Sequence, residues 1–292
     1  DYIDIDLPQS AITKKSMMML DILANNDWKR PIYFSGGSFD DAEFIWMKDY
    51  LQLDGMAYKL VPIKTERRSS FEMGRIDSDL MYDVVTNWYW GNSGSPDIYH
   101  DPQTRIQGLS YRSNLARLLE QLLEENKIEK AKDVIELTMK NIPVEYFGYY
   151  TFVEPFVDGY YKVGETNKAR ELFEKLKYIY QDRLEYYAGV PLEEQYDKID
   201  EVIADMEGYR RNIDILITNN DRERAEKETL IFNEYIDKFQ HFYKDNILEE
   251  EPTKPGDNPD MIDTMPISDS TVIDATTTKE EVLDTVAIPV VN

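Results

Sequence analysis

The sequence holds 292 residues, with 57 acidic side chains against 33 basic ones, a formal net charge of −24, no cysteine and two histidines. That charge argues against nucleic acid, whose phosphate backbone it would repel, and disfavours an anionic membrane surface. The missing thiols exclude disulfides, thiolate catalysis and zinc–thiolate sites.

Hydrophobic residues make up 42% of the chain and aromatic residues 12%, enough for two cored domains. No apolar run approaches the roughly 20 residues needed to cross a bilayer. The sequence starts at Asp1 with neither an initiator methionine nor a signal peptide, and is expected to be a piece of a longer protein.

Residues 1–9 read as an extended segment in which Asp1, Asp4 and Asp6 mix with Tyr2, Ile3, Ile5 and Leu7. Ser10 or Ser16 is the expected cap of a helix carrying Met19, Leu20 and Leu23 on one face and ending at Asn25-Asn26-Asp27. Pro31-Ile32-Tyr33-Phe34, bounded by Gly36-Gly37, reads as a buried strand. Ser38-Phe39-Asp40-Asp41 is a capping signature, and its helix continues from Ala42 to Leu51. Gly55 breaks that helix, and Tyr58 to Ile63 reads as a second strand. Strand, helix and strand predict a β-α-β unit with parallel, right-handed pairing. Asp77 to Trp90 carries Leu80, Met81, Val84, Val85 and Trp88 at helical spacing, followed by a loop at Gly91-Asn92-Ser93-Gly94-Ser95-Pro96.

From Tyr111 the pattern is helical and repeats. Ala131 and Ala169 lie 38 residues apart, and Asn126 to Lys132 aligns with Gly164 to Arg170 at that offset. Upstream, Leu115, Leu118, Leu119, Leu122 and Leu123 fall opposite Val153, Phe156, Val157, Tyr160 and Tyr161. A period of this length with a fixed small residue predicts stacked helix-turn-helix units of tetratricopeptide type. The pairs fall at about 111–125 with 128–141 and 151–163 with 166–187. A third pair follows Pro191. Its stripes are Tyr196, Ile199, Ile203, Met206 and Ile213, then Phe232, Tyr235, Phe239 and Phe242, with a turn at Asn219-Asn220-Asp221. The last 47 residues contain no aromatic side chain and eleven acidic ones against Lys254 and Lys279. They predict an acidic tail, flexible or laid along the folded part.

Few residues point to chemistry. Gly36-Gly37 before a helix has the layout of an anion cradle, but Asp40, Asp41 and Glu43 in the first turn would repel a phosphate. Carboxylates and glycine at the offsets of a Ca²⁺ loop are missing, so no metal site is assigned. With so many acidic residues no carboxylate pair can be singled out, and neither a catalytic residue nor a cofactor is assigned. The candidate contact surface is aromatic: Trp88, Tyr89 and Trp90, with Tyr146, Tyr149 and Tyr150 between two helical pairs and Tyr160 beside them.

Three stretches carry a family resemblance. They are Asp27-Trp28-Lys29-Arg30-Pro31-Ile32-Tyr33-Phe34, then Tyr50 through Gly55 to Pro62, then Tyr111-Arg112-Ser113-Asn114-Leu115-Ala116-Arg117-Leu118. In this order, followed by the helical repeat, they resemble the C-terminal soluble region of a bacterial membrane-protein family similar to protein O-mannosyltransferases, glycosyltransferase family 117. The resemblance runs over about residues 1–245. It implies a multi-span transferase part upstream, with the catalytic acidic residue in a membrane loop that this chain lacks, and a periplasmic place for the region present here.

The reading is an α+β protein, mostly α: a small N-terminal α/β unit over 1–107, tetratricopeptide-like repeats over 108–245, and an acidic tail over 246–292. The expected function is a non-catalytic periplasmic module of a membrane glycosyltransferase-like protein, binding an acceptor protein, a glycan or a partner subunit. Membrane attachment would come only through spans outside this chain. A free-standing carbohydrate-active enzyme using paired carboxylates and a pure assembly scaffold are the alternatives.

Overall fold

The computed structural model describes residues 3, 12–35, 46–65, 73–148 and 150–242. The acidic tail, the Gly36-Gly37 segment with its capping signature, and Tyr149 lie outside the described residues. Helices dominate, with one small antiparallel sheet near the N-terminus.

Helix α1 spans Lys14–Asn25. Its cap is Thr13, whose Oγ1 accepts from the Ser16 N–H at 3.2 Å, so neither expected serine holds that position. The sheet comprises β1 (Tyr33–Phe34), β2 (Leu51–Asp54) and β3 (Ala57–Leu60), in the order β1-β3-β2 with both pairings antiparallel. The predicted parallel β-α-β unit is therefore wrong. Leu51, read as the end of a helix, starts a strand that reverses at once through Gly55-Met56 and pairs Asp54 with Ala57. Gly55 has φ +71 at the first position of this two-residue loop, where hairpin turns favour glycine. All four residues of β2 are buried, and they alternate: Gln52 donates to Asp54 at 2.9 Å and receives Arg75 at 2.6 Å, while Leu51 and Leu53 are apolar.

Helix α2 covers Ser78–Thr86 and is shorter than predicted. Thr86 Oγ1 and Asn87 Nδ2 donate back to the carbonyls of Tyr82 and Asp83, at 2.8 and 2.7 Å, and end it before the tryptophans. Helix α3 runs from Pro102 to Glu124, starting nine residues before the expected one. Asp101 caps it, accepting from the N–H groups of Gln103 and Thr104. Proline in the first turn lacks an N–H that would have no helical partner. Then follow α4 (Ile128–Asn141), the single turn α5 (Val144–Phe147), α6 (Glu154–Lys162), α7 (Thr166–Gly189), α8 (Leu192–Asp197), α9 (Ile199–Thr218) and α10 (Arg222–Lys238). The main packed pairs are α3 with α4, α6 with α7, and α9 with both α7 and α10.

One buried cluster runs from Leu53, Met81 and Val85 through Leu118, Ile135, Phe156, Phe173 and Tyr209 to Phe239 and Phe242. The sheet and α2 thus share a core with the helical stack. A second cluster, Met47, Tyr50, Leu51, Leu60 and Met73, adjoins the first at Tyr58 and receives Met19 and Leu23 of α1.

Candidate functional site

Three turns set the geometry of the helical stack. Asn126, Gly164 and Asn220 have φ of +58, +81 and +59, and each stands five residues before a buried alanine, Ala131, Ala169 or Ala225. In each turn the next N–H reaches back to a carbonyl five residues earlier: Lys127 to Leu122, Glu165 to Tyr160, Asp221 to Leu216, at 2.8, 2.8 and 2.9 Å. This is the Schellman pattern, which only a left-handed residue permits.

The same ion pairs then recur between successive units. Lys132 pairs with Glu165, and Arg170, at the equivalent place one unit on, pairs with Asp221 at 2.7 Å. Glu136 pairs with Lys168 at 2.6 Å, and the equivalent Glu174 with Arg224. On α10 those two places hold Glu226 and the exposed Leu230, so the α10 outer face lacks both linking groups.

Below the α6–α9 surface lies a row of tyrosines bonded to buried carboxylates. Tyr180 donates to Glu154 at 2.8 Å, and the Arg211 Nε donates to the other Glu154 oxygen at 2.8 Å. Tyr150 donates to Asp205, which also receives Arg183 at 2.6 Å. Tyr209 donates to Glu228 at 2.8 Å, with Lys177 on its second oxygen at 3.3 Å. The rings touch in sequence, Tyr150 edge-on to Tyr180 at 4.9 Å and Tyr180 stacked on Tyr209 at 6.2 Å.

Burial raises the phenols of Tyr150, Tyr180 and Tyr209, and their carboxylate partners raise them further, so they stay protonated and donate to those carboxylates. Burial also raises Asp205, against the pull of Tyr150 and Arg183. Each of the three carboxylates is thus engaged by one phenol and one cation. Such fully satisfied groups hold helices in register.

Above this row, Asp158, Arg211, Asp214, Ile215 and Thr218 line an open groove of about 220 Å³ between α6 and α9. Arg211 reaches down from it to Glu154; burial lowers its affinity for the proton, but the bonds to Glu154 outweigh that and keep it charged. Asp158 accepts from Asn219 at 2.8 Å and pairs with Lys162 at 2.6 Å. The lining is mostly apolar, with Asp158 held by Lys162 and Asn219 and Asp214 its other carboxylate.

The aromatic candidates separate. Residues 88–90 follow the helix in irregular backbone, so Trp88 and Trp90 turn inward while Tyr89 is 97% exposed. Trp88 meets Trp90 and Tyr111 edge-on, both at 5.4 Å. A Cβ on Gly55 would stand 2.6 Å from the Trp88 ring, so this tryptophan is seated on the hairpin turn. Tyr146 is partly buried against the core, Tyr150 belongs to the tyrosine row, and Tyr160 is 5% exposed beside Glu136 and Lys168. Only Tyr89 presents a free ring among those described. The groove residues were not singled out from the sequence. Arg211 and Asp158 come together across 53 residues, and only the turn alignment could have brought them into view.

The middle of α3 joins sheet and stack. Asn114 donates to the Gly55 carbonyl at 2.9 Å and Arg117 to the Gly74 carbonyl at 3.0 Å. Arg112 is fully buried and donates to the carbonyls of Ile142, at 3.2 and 2.9 Å, and Gly148, at 2.6 Å. Burial pulls its pKa down to about 10, against the opposing pull of the Glu145 carboxylate.

Two of the three resemblance stretches fall in the sheet region, and there the comparison with known families is positive. Residues 1–80 match the family model described as TMEM260-associated domain 2. The match links the chain to a TMEM260-like family, which relates to O-mannosyltransferase-like proteins. It ends within α2, so the third stretch and the helical stack lie beyond the TMEM260-associated segment. No curated protein and no solved structure matches the chain. Among the described residues there is no cluster of side chains suited to a metal ion, and no helix long and apolar enough to cross a membrane.

Proposed function

We propose that this chain is a non-catalytic binding module of a membrane glycosyltransferase-like protein of family 117, facing the periplasm. On this reading its tetratricopeptide-like stack holds an extended segment of an acceptor or partner protein. The observation that carries the reading is the groove over α6 and α9, open to solvent and lined by Asp158 and Asp214, with Arg211 turned to Glu154 beneath it. Grooves on the first helices of stacked helix pairs are where repeat proteins bind extended partners. The carboxylate lining favours a segment carrying lysine or arginine. Support for the membrane setting is the TMEM260-associated match together with the resemblance of the sheet region.

The test is anisotropy with a labelled lysine-containing peptide and its glutamate counterpart. Asp214→Lys should weaken binding of the basic peptide about fivefold, equivalent to about 1 kcal/mol. Glu226→Lys on the outer face of α10 makes the same charge change away from the groove and should leave binding near the starting value. Equal effects from the two variants would mean that the peptide reads overall charge and that the groove has no role. Transfer of sugar from a lipid-linked donor by the isolated chain would overturn the non-catalytic reading.

A glycan-binding alternative rests on Tyr89. Its ring stands alone on the surface, since Trp88 and Trp90 are turned onto Tyr111. A single ring offers one stacking face rather than a platform, so the protein-partner reading is preferred.

A further inference from the structure

The groove over α6 and α9 has one long wall and one short one. Arg211, Asp214, Ile215 and Thr218 stand at i, i+3, i+4 and i+7 along α9, the spacing of a single helical face. Asp158 of α6 closes the opposite side. The space between them is about 220 Å³, smaller than the roughly 300–1,000 Å³ of sites that enclose a small molecule or cofactor. It has room for a side chain presented by another chain, and little more.

Every charge lining this groove except one has a partner. Arg211 donates through Nε and Nη2 to Glu154 beneath it, at 2.8 and 3.3 Å, and its Nη1 is 3.9 Å from Glu207. Asp158 receives Asn219 on one oxygen at 2.8 Å and Lys162 on the other at 2.6 Å. Among the described residues Asp214 has neither a hydrogen bond nor an ion pair, and Arg210, one turn before it on α9, does not pair with it. With these neighbours counted in, Asp158, Asp214, Glu154 and Glu207 stand against Lys162, Arg210 and Arg211. The charge left without an answer is the Asp214 carboxylate.

Two features of the groove select what can answer it. Asp214 and Asp158 stand on different helices, so a cation between them is met from two sides. Asp158 can still accept there, because an ionised carboxylate has about four acceptor sites and two donors already reach it. An ammonium carries three rotatable donors suited to two separate carboxylates, whereas a guanidinium is a planar fork that fits one carboxylate squarely. Beside Asp214, the half-buried Ile215 offers apolar surface along which a four-carbon stem can lie.

We propose that the groove over α6 and α9 takes a single lysine side chain of the partner, its ammonium on Asp214 and its stem on Ile215, in preference to arginine. The inference rests on the partner-binding reading above and narrows it from a basic segment to one residue type. It also makes the contact sensitive to acetylation of that lysine, which removes the charge Asp214 recognises.

The experiment is titration of the intact chain with short labelled peptides at low salt, read by anisotropy. Each peptide carries one variable residue among serines and glycines: lysine, arginine, Nε-acetyl-lysine or glutamate. The lysine peptide should bind about threefold tighter than the arginine peptide and about fivefold tighter than the acetylated one. Asp214→Asn removes the unanswered charge without adding another, and should bring the lysine and acetyl-lysine peptides to the same affinity. Asp214 is exposed, so the melting temperature of this variant should stay at the parent value. Glu226→Gln on the outer face of α10 removes an equal charge elsewhere and should leave the lysine preference intact. Equal binding of the lysine and arginine peptides, both tighter than the glutamate peptide, would overturn this inference and leave the partner-binding reading standing. A lysine preference that survives Asp214→Asn, or that Glu226→Gln weakens as much, would overturn it as well. A lysine peptide that binds no better than the glutamate peptide would remove the reading and the inference together.

Discussion

Replacing Gly208 by alanine inserts a methyl group into the contact between α9 and α7. A Cβ at this position lies 2.7 Å from Cε1 and Cζ of Tyr180, and the hydroxyl is closer still. Tyr180 has no free direction in which to withdraw. It is fully buried, edge-on to Tyr150 at 4.9 Å, stacked on Tyr209 at 6.2 Å, and fixed to Glu154 by a 2.8 Å hydrogen bond. Alanine within a helix gains about 0.5–1 kcal/mol over glycine. Overpacking costs about 1–3 kcal/mol, and driving the phenol off the charged Glu154 costs about 1.5–3 kcal/mol more. The losses outweigh the gain, and the net expected effect is a destabilisation of about 2–4 kcal/mol.

Urea denaturation followed by circular dichroism measures this effect, and a double-mutant cycle isolates its cause. Tyr180→Phe removes the nearest atom and alone should cost about 1 kcal/mol, since Glu154 keeps Arg211. In the Gly208→Ala background the same change should recover part of the loss. A Gly208→Ala protein as stable as the parent, or effects of the two changes that simply add, would refute the packing described for this contact.

Ala131→Leu, Ala169→Leu and Ala225→Leu should each cost about 1–3 kcal/mol in thermal melts by overpacking, since all three side chains are buried at equivalent places. Gly164→Ala should lose about 1 kcal/mol through backbone strain alone, because φ is +81 and no atom lies within 4 Å of the added Cβ. Gly164→Asn should lose less, as Asn126 and Asn220 already hold that conformation. Arg170→Met should reduce stability by about 1 kcal/mol near neutral pH and flatten the acid limb of the denaturation profile. Arg170 holds the Asp221 carboxyl below its ordinary range, so its contribution is full above about pH 4 and is lost as pH falls through the lowered value. Trp88→Ala should cost about 3 kcal/mol by chemical denaturation, whereas Tyr89→Ala, on the exposed neighbour, should change stability by less than about 0.5 kcal/mol.

The helix pairs were legible because burial writes itself into helical spacing. The turn at Asn126 and its 38-residue echo at Gly164 were visible for the same reason, as a left-handed residue five places before a close-packed alanine. The turn at Asn219-Asn220-Asp221 is also legible, but the equivalence of Asn220 and Ala225 to the first two turns escapes a search at fixed period. Helix α7 is 24 residues long and α8 is inserted after it, so the echo arrives 56 residues later instead of 38. The sheet differs from the expectation because Leu51, assigned to the end of a helix, opens the alternating strand Leu51-Gln52-Leu53-Asp54. Gly55 before Met56, glycine at the first place of a two-residue hairpin loop, was the cue that pointed the right way.

The candidate surfaces divide along the same line. Aromatic richness at residues 88–90 was apparent, but which rings face outward depends on α2 ending at Thr86, and that depends on Thr86 and Asn87 bonding back to the last turn. The groove was invisible in one dimension, because Asp158 and Arg211 meet only where α6 and α9 lie side by side.

By itself the sequence determined the helical class, the turn positions and the overall negative charge, since each follows from local spacing or composition. Tertiary structure alone decided the direction of strand pairing, the partners of the buried carboxylates, and the places where charge gathers. A carboxylate is indistinguishable from its neighbours in a chain with 57 of them until folding surrounds one with a phenol and a guanidinium.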